Sequence, residues 1–453
     1  MRAALVIGGG ISGLSAAYYL RKAGLACTLV EKRPYLGGVI RTERVEGCLI
    51  EGGPDSFLSV KPWAMDLIRD LGLAGEVIGS NDHQRRTWIR KNGRLVALPD
   101  GLMMMVPTRV APMITTRLVG WGAKLRMGLE WFRKPPAAPL PDRSVAEFVR
   151  DHYGDEAVDY LAEPLLAGVY GGDPSRLSVA SVLPRFVEIE TKYGSLTRGS
   201  LALMREARAG KQPLFRTLKG GLGQLVDAVV AAARPEVLHG EAEAMERSEA
   251  GYRVRVAGEW VEASHVVLAC EAHRAAELVG PLDGEIAAAL ATVDYSSSIT
   301  ASLVFDRSSG GRLPAGFGIL VPKRERRRLV ACTFVGAKFS HRVPDHLVLV
   351  RCFLGGAGQE SDEALVATVL EELRDLAGIA ARPRFWRIHR WPRSMAQYPV
   401  GHLDRMAAVD ERLKSLPGLH LAGNGYYGIG VPDCVRMGKQ AAERIASMVK
   451  TGR

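Results

Sequence analysis

Gly8, Gly10 and Gly13 are the first residues in the chain whose type and spacing imply chemistry. They match G-x-G-x-x-G between an apolar run (3–7) and a helical stretch (11–22). The first glycine allows a tight turn, the second lets backbone approach a phosphate, and the third lets helix and strand pack closely. The amides of the helix start would then face a pyrophosphate. Glu31 ends a second apolar run about twenty residues on, where a carboxylate can accept ribose hydroxyls. A strand, glycines, a helix, a second strand and an acid, in that order, predict a dinucleotide clamp.

The residues after Glu31 narrow the nucleotide. Lys32 and Arg33 lead to a second glycine pair, Gly37-Gly38, then Val39, Ile40 and Arg41, then EGGPDSF at 51–57. Such an extension suits a cofactor that continues past the pyrophosphate into a second chamber, so FAD is expected rather than NAD. At the other end of the chain, GNGYYGIGVPDC (423–434) places glycines before a helix with Pro432 in or near its first turn. A helix start aimed at the flavin pyrimidine edge would favour its reduced, anionic state.

Composition is consistent with an ordered globular protein of two or three domains: 453 residues, 47% hydrophobic and 24% charged. The six cysteines are dispersed with no metal-ligand spacing, which predicts reduced thiols in the cytoplasm. No H-E-x-x-H, G-x-S-x-G or P-loop is present, so metal and serine-hydrolase chemistry have no support. Two uncharged runs, 3–20 and 415–432, are too rich in glycine to cross a bilayer, and the first is not read as a signal peptide. The net charge of +11, with 46 arginines against 14 lysines, suits a solvated surface or an acidic partner. No nucleic-acid module accompanies it. KRERRR (323–328) reads as an exposed hairpin tip.

The segment 101–134 carries six basic residues against Glu130 alone, with methionines, Trp121 and Trp131 among the arginines. It predicts a pair of interfacial helices lying on an anionic membrane surface without spanning it. The remaining elements imply an α/β chain of three parts. A Rossmann-like FAD domain is expected from 1–60, 217–280 and 389–453, and an antiparallel-sheet substrate domain from 61–84 and 281–388. A helical, membrane-associated domain is expected from 85–216.

GGGISGLSAAYYL, EGGPDSF, LAGVYGGDPSRLSV, GFGILVP and GNGYYGIGVPDC together resemble the oxygen-dependent porphyrinogen oxidases of haem synthesis, within the amine oxidase-like FAD superfamily. The resemblance spans essentially the whole chain. It implies a monomeric or homodimeric enzyme, peripheral to the membrane, holding one non-covalent FAD. It also implies removal of six electrons from a porphyrinogen in three flavin cycles, each reducing dioxygen to hydrogen peroxide. Further FAD contacts are implied at Ile11, Ser12, Gly53, Pro54, Asp55, Ser56, Ala269, Trp391, Gly423, Asn424, Gly430 and Val431. Ala242 falls where the family usually has valine, at an adenine contact. No catalytic base is implied, because hydride goes directly to the flavin, and His389 and His402 read as structural. For the substrate, Phe353 matches the aromatic wall and Ile319 and Leu320 the aliphatic wall. The propionate-binding arginine of some relatives falls on Thr87, which leaves neighbouring Arg86 as the candidate. Protoporphyrinogen IX and coproporphyrinogen III both remain open as substrate. An amine oxidase, a carotenoid desaturase or a non-catalytic flavin or porphyrin carrier on the same scaffold remain alternatives.

Overall fold

The computed structural model describes residues 2–206, 212–309, 313–356 and 358–451. Two seven-stranded sheets organise it. In the first, the strand Arg2–Ile7 lies parallel between Cys27–Glu31 and Glu259–Leu268, and Glu236–His239 pairs parallel beyond Cys27–Glu31. The long strand Glu259–Leu268 serves two neighbours: its first half pairs antiparallel with Gly251–Val256, its second half parallel with Leu419–Leu421. Strands buried on both faces read as continuous apolar runs, and ALVI at 4–7 is such a run. The helices Ile11–Lys22 and Val431–Thr451 pack closely on this sheet. A side chain at Gly438 would collide with the carbonyl of Ser12, so glycine is required there.

The second sheet runs Phe385–Ala396, Tyr295–Asp306, Leu347–Gly355, Leu329–Phe334, Gly318–Leu320, Thr87–Lys91 and Arg94–Ala97. Every pairing is antiparallel except that of Thr87–Lys91 with Gly318–Leu320. The helix Asp362–Ala377 covers one face through Leu365, Val366, Val369 and Leu373. Two expected boundaries fall inside this sheet. The hairpin 87–97 belongs to it rather than to the helical part, because its partner is more than two hundred residues away and leaves no local signal. Residue 389 lies within the strand Phe385–Ala396, not at its end.

The third body is helical, with Phe148, Tyr153, Leu161 and Leu196 in its core. Its centre also holds a polar cluster. His152 bridges Glu130 and Glu190, with 3.0 Å on each side, and Glu190 also accepts from Arg143 at 2.7 Å. Segment 101–134 forms two short helices, Val110–Thr115 and Trp121–Leu129, after a small hairpin. Met105, Met113 and Met127 point into the core, while Val110, Trp121 and Phe132 are each more than 70% exposed. Among the described residues, no helix is long and apolar enough to cross a membrane.

KRERRR is not a free tip. Lys323 pairs with Asp173, Arg324 with Asp159 and Arg326 with Glu163, each on the helical body, while Arg327 and Arg328 pair with Glu371 and Glu360. The hairpin is a clasp between the second sheet and the helical body.

Candidate active site

The glycines at the end of the first strand pack closely in the turn that leads into the helix Ile11–Lys22. Gly8 adopts a positive φ of 108°, with Ala269 O so close that a Cβ would sit 2.7 Å from it. Gly13 lies directly on the carbonyl of Gly8. Gly10, by contrast, faces open space: no atom lies within 4 Å of where its Cβ would be. Gly10 is also the N-cap of the helix Ile11–Lys22 and has no side-chain cap, so the amides at its first turn, from Ile11, Ser12 and Gly13, are available to a phosphate. Gly37 braces the clamp by donating to Gly9 O at 2.8 Å, and Gly38 sits against Gly10.

Glu31 is buried. Its Oε2 accepts from Gly9 N at 2.7 Å and its Oε1 from Arg33 N at 2.8 Å. Each oxygen keeps a lone pair for a ribose hydroxyl. Ala242 is buried and its carbonyl accepts from Arg274 at 3.2 Å. Ala269 donates to Ile7 O, and Lys32 lies near the half-buried Cys270. Arg33 sits 5.9 Å from the Trp391 ring and Arg41 stacks at 4.1 Å on Tyr35.

The EGGPDSF loop is the floor of the next chamber. Gly53 lies on the carbonyl of Val39, next to Ile40, and Trp391 Nε1 donates to Gly52 O at 2.8 Å. Beyond Pro54, Asp55 is held by Lys338 through both oxygens at 2.9 Å, by Ser56 Oγ at 2.6 Å and by Arg351 at 3.7 Å. Burial alone would raise the Asp55 pKa, but the two cations outweigh it and keep the carboxyl ionised well below the usual range. Glu51 is likewise paired with the buried Arg342 at 2.8 Å. Lys338, Arg342 and Arg351 escape a reading of the sequence, because they lie almost three hundred residues from the acids they neutralise.

The C-terminal loop closes over the clamp. Gly423 has a φ of 143°, Asn424 Nδ2 donates to Ser394 O at 2.9 Å, and Tyr398 donates to Asn424 O at 2.6 Å. Gly430 accepts from Cys434 N at 3.0 Å, so the helix starts at Val431 with Pro432 next. Asp433 in that first turn pairs with Lys61 at 2.6 Å.

One row of residues crosses the second sheet in register: Leu320, Ala331, Phe353, Thr300 and His389. They share one face. At one end Leu320 touches the position of Gly168, from the GVYGGDP segment. At the other, His389 stacks on Trp391 with an interplanar angle of 7° and contacts Glu43 at 2.8 Å. Phe353 stands between them, half-buried, with the Arg351 guanidinium against its ring. Phe353 and Leu320 are thus brought together with the FAD loops.

Ile319 and Arg86 are not. Ile319 faces the other way, 0% exposed among Cys332, Cys352 and the helix Asp362–Ala377, because adjacent strand residues alternate between faces. Arg86 lies over Trp88, and Trp88 pairs with Ile319 on that same far face. Thr87 takes the near face. His402 is fully buried, stacks on Tyr398 at 4.2 Å and contacts Tyr426 O, a structural role.

A clamp for the pyrophosphate, a second glycine chamber and a capping helix start are the fittings of an FAD oxidoreductase. The chain belongs to the flavin-containing amine oxidoreductase family, whose profile it matches over residues 11–446. It is 33% identical over 457 residues to coproporphyrinogen III oxidase of Bacillus subtilis (strain 168), covering 96% of both chains. To protoporphyrinogen oxidase 2 of Arabidopsis thaliana it is 24% identical, covering 98% of this chain and 94% of that one. The crystal structure of a candidate protoporphyrinogen oxidase from Exiguobacterium sp. 255-15 superposes with a TM-score of 0.86 at 32% identity, covering 98% and 99% of the two chains. Cyclohexylamine oxidase from Brevibacterium oxydans IH-35A shares the fold at 19% identity and a TM-score of 0.72, covering 99% of both.

Proposed function

We propose that this enzyme oxidises coproporphyrinogen III, in preference to protoporphyrinogen IX, to the corresponding porphyrin in haem biosynthesis, with dioxygen as acceptor and hydrogen peroxide as by-product. The row Leu320–Ala331–Phe353–Thr300–His389 carries this reading. It sets a wall, apolar from Leu320 to Phe353 and polar at Thr300 and His389, between the GVYGGDP helix and the FAD loops. Full-length similarity to enzymes named coproporphyrinogen III oxidase supports the choice of substrate.

When bound, FAD supplies hydride acceptance and passes the electrons to dioxygen. The protein binds, orients and excludes water. Phe353 and Leu320 pack on the macrocycle, and Gly168 leaves room for it. No side chain is needed as a base, since a methylene bridge can give up hydride directly while pyrrole N–H protons leave to water. The uncapped amides of the helix start at Ile11 would hold the pyrophosphate, and the helix start at Val431 would favour negative charge on the flavin edge. The enzyme works in the cytoplasm, as monomer or homodimer. The exposed apolar residues of 110–132 rest it on an anionic membrane surface.

Anaerobic mixing tests the reading. Coproporphyrinogen III should bleach the yellow protein, and its turnover in air should exceed that of protoporphyrinogen IX. Bleaching by a primary amine but by neither porphyrinogen would replace it with amine oxidation. Binding without bleaching would make the protein a carrier.

A further inference from the structure

The two basic concentrations of this chain differ in one respect. Each of the five cations in 323–328 has a carboxylate partner. Arg86, Arg94 and Arg117 converge on one groove of about 820 Å³ with Lys91, and among the described residues none of the three arginines has an acidic partner. Asp100 is the one acid in the lining. Lys91 is already engaged, donating to Leu118 O and lying over the Tyr160 ring. The groove runs along Arg94–Ala97, the edge strand of the second sheet, at the far end of the sheet from the strand that carries Phe353; Arg94 and Val96 lie on the face of Leu320 and Phe353, Leu95 and Ala97 on the other.

Its opposite wall is the helix Val110–Thr115, through Pro112 and Thr115. That helix exposes Val110 and Ile114. Lys124 of the next helix donates to the carbonyls of Ile114 and Thr116, which sets Trp121, Leu125 and Leu129 beside them, all exposed. Unpaired arginines therefore border an exposed apolar strip. Apolar side chains that enter the acyl region bring neighbouring cations to the level of the phosphates.

We infer that this groove is a binding site for the phosphate of an anionic phospholipid headgroup, such as phosphatidylglycerol. The inference rests on the membrane docking proposed for 110–132 and names the site that selects the lipid. Bidentate guanidinium geometry suits a phosphodiester, and three such groups explain a preference that the apolar strip alone cannot provide.

The test is vesicle sedimentation with the FAD-loaded protein. Wild type should bind vesicles containing phosphatidylglycerol, and R86Q/R94Q/R117Q should weaken this about a hundredfold, at roughly fivefold per cation. The same triple change to lysine keeps the charge and loses the bidentate geometry, so its binding should fall between wild type and the glutamine variant, and all variants should keep the flavin spectrum and Tm. W121S/L125S should lose binding to neutral and anionic vesicles alike. Soluble glycerophosphoglycerol should compete better than inorganic phosphate. Unchanged lipid preference in the glutamine variant would overturn the headgroup site while leaving membrane docking standing. Equal competition by inorganic phosphate would make the groove a general anion site instead, and stronger competition by coproporphyrin III would make it a tetrapyrrole site. Wild type that binds neither vesicle would overturn both readings.

Discussion

The Arg351 guanidinium lies 4.7 Å from the centre of the Phe353 ring, two residues along the same strand face, and also donates to the carbonyl of Gly53. One side chain thus ties the aromatic wall to the cofactor loop.

Because Arg351 supports it from one side, Phe353 can be truncated without disturbing the loop. Phe353→Ala removes roughly 2–4 kcal/mol of apolar and aromatic contact. Porphyrinogen turnover should fall by about one to three orders of magnitude while flavin absorbance and Tm stay near wild type. Loss of the FAD in this variant would show that the ring is packing the loop rather than the substrate. Arg351→Met should do the reverse. It removes one of the two cations on the half-buried Asp55, at a cost of about 1–3 kcal/mol, and should lower Tm and release flavin.

Glu31 joins Gly9 and Arg33 through two charge-assisted hydrogen bonds. Glu31→Ala should weaken FAD retention by about 1.5–3 kcal/mol, read as faster flavin release on dilution. In wild type, acid precipitation should send all yellow colour to the supernatant. Colour left on the pellet would show a covalent flavin.

His265 and His420 lie on neighbouring strands, ring centres 6.1 Å apart. Burial, then the charge of His265, pushes the His420 pKa down to about 4, and burial lowers that of His265 as well. A histidine kept neutral by the fold binds fewer protons than the unfolded chain does. Its contribution is complete above the ordinary pKa of 6.5 and is lost as pH falls from there toward about 4. For His420 the loss is on the order of 3 kcal/mol. Urea midpoints measured across that window should fall, and His420→Phe should flatten the slope.

Glu163 is buried where the clasp meets the helix that carries Gly168, accepting from Arg326 at 2.8 Å and from Lys323 N at 2.9 Å. Arg326→Met should cost about 3 kcal/mol by leaving that carboxylate without its cation. The Arg326→Met/Glu163→Met double change should restore much of the loss. Additive effects in the double-mutant cycle would show the pair to be uncoupled.

The cofactor half of the site is legible in the sequence because its parts are local. Gly8, Gly10, Gly13 and Glu31 lie within one strand–helix–strand unit, where spacing is geometry. The substrate half is not. Phe353 and Leu320 share a face only through a register set by three strands, and a slip of one residue separates Leu320 from Ile319. Arg86 shows the same limit: one step from Thr87 puts it on the opposite face. The cations under EGGPDSF could not be found by spacing, since sheet pairing brings them there. The basic run 323–328 suggested solvent because composition does not record where the matching acids fold.

The strand Glu259–Leu268 takes Arg2–Ile7 on one side and Leu419–Leu421 on the other, and Ser12 is packed against Gly438. A ribosome makes the first of these partners well before the last. At about 5–20 residues per second, the nascent phosphate clamp waits roughly twenty to ninety seconds for the helix that completes it. Until then the side of Ile11–Lys22 that meets Val431–Thr451 has no cover, and the flavin has only part of its chamber. Full enclosure of the cofactor therefore has to wait until translation has delivered that last helix.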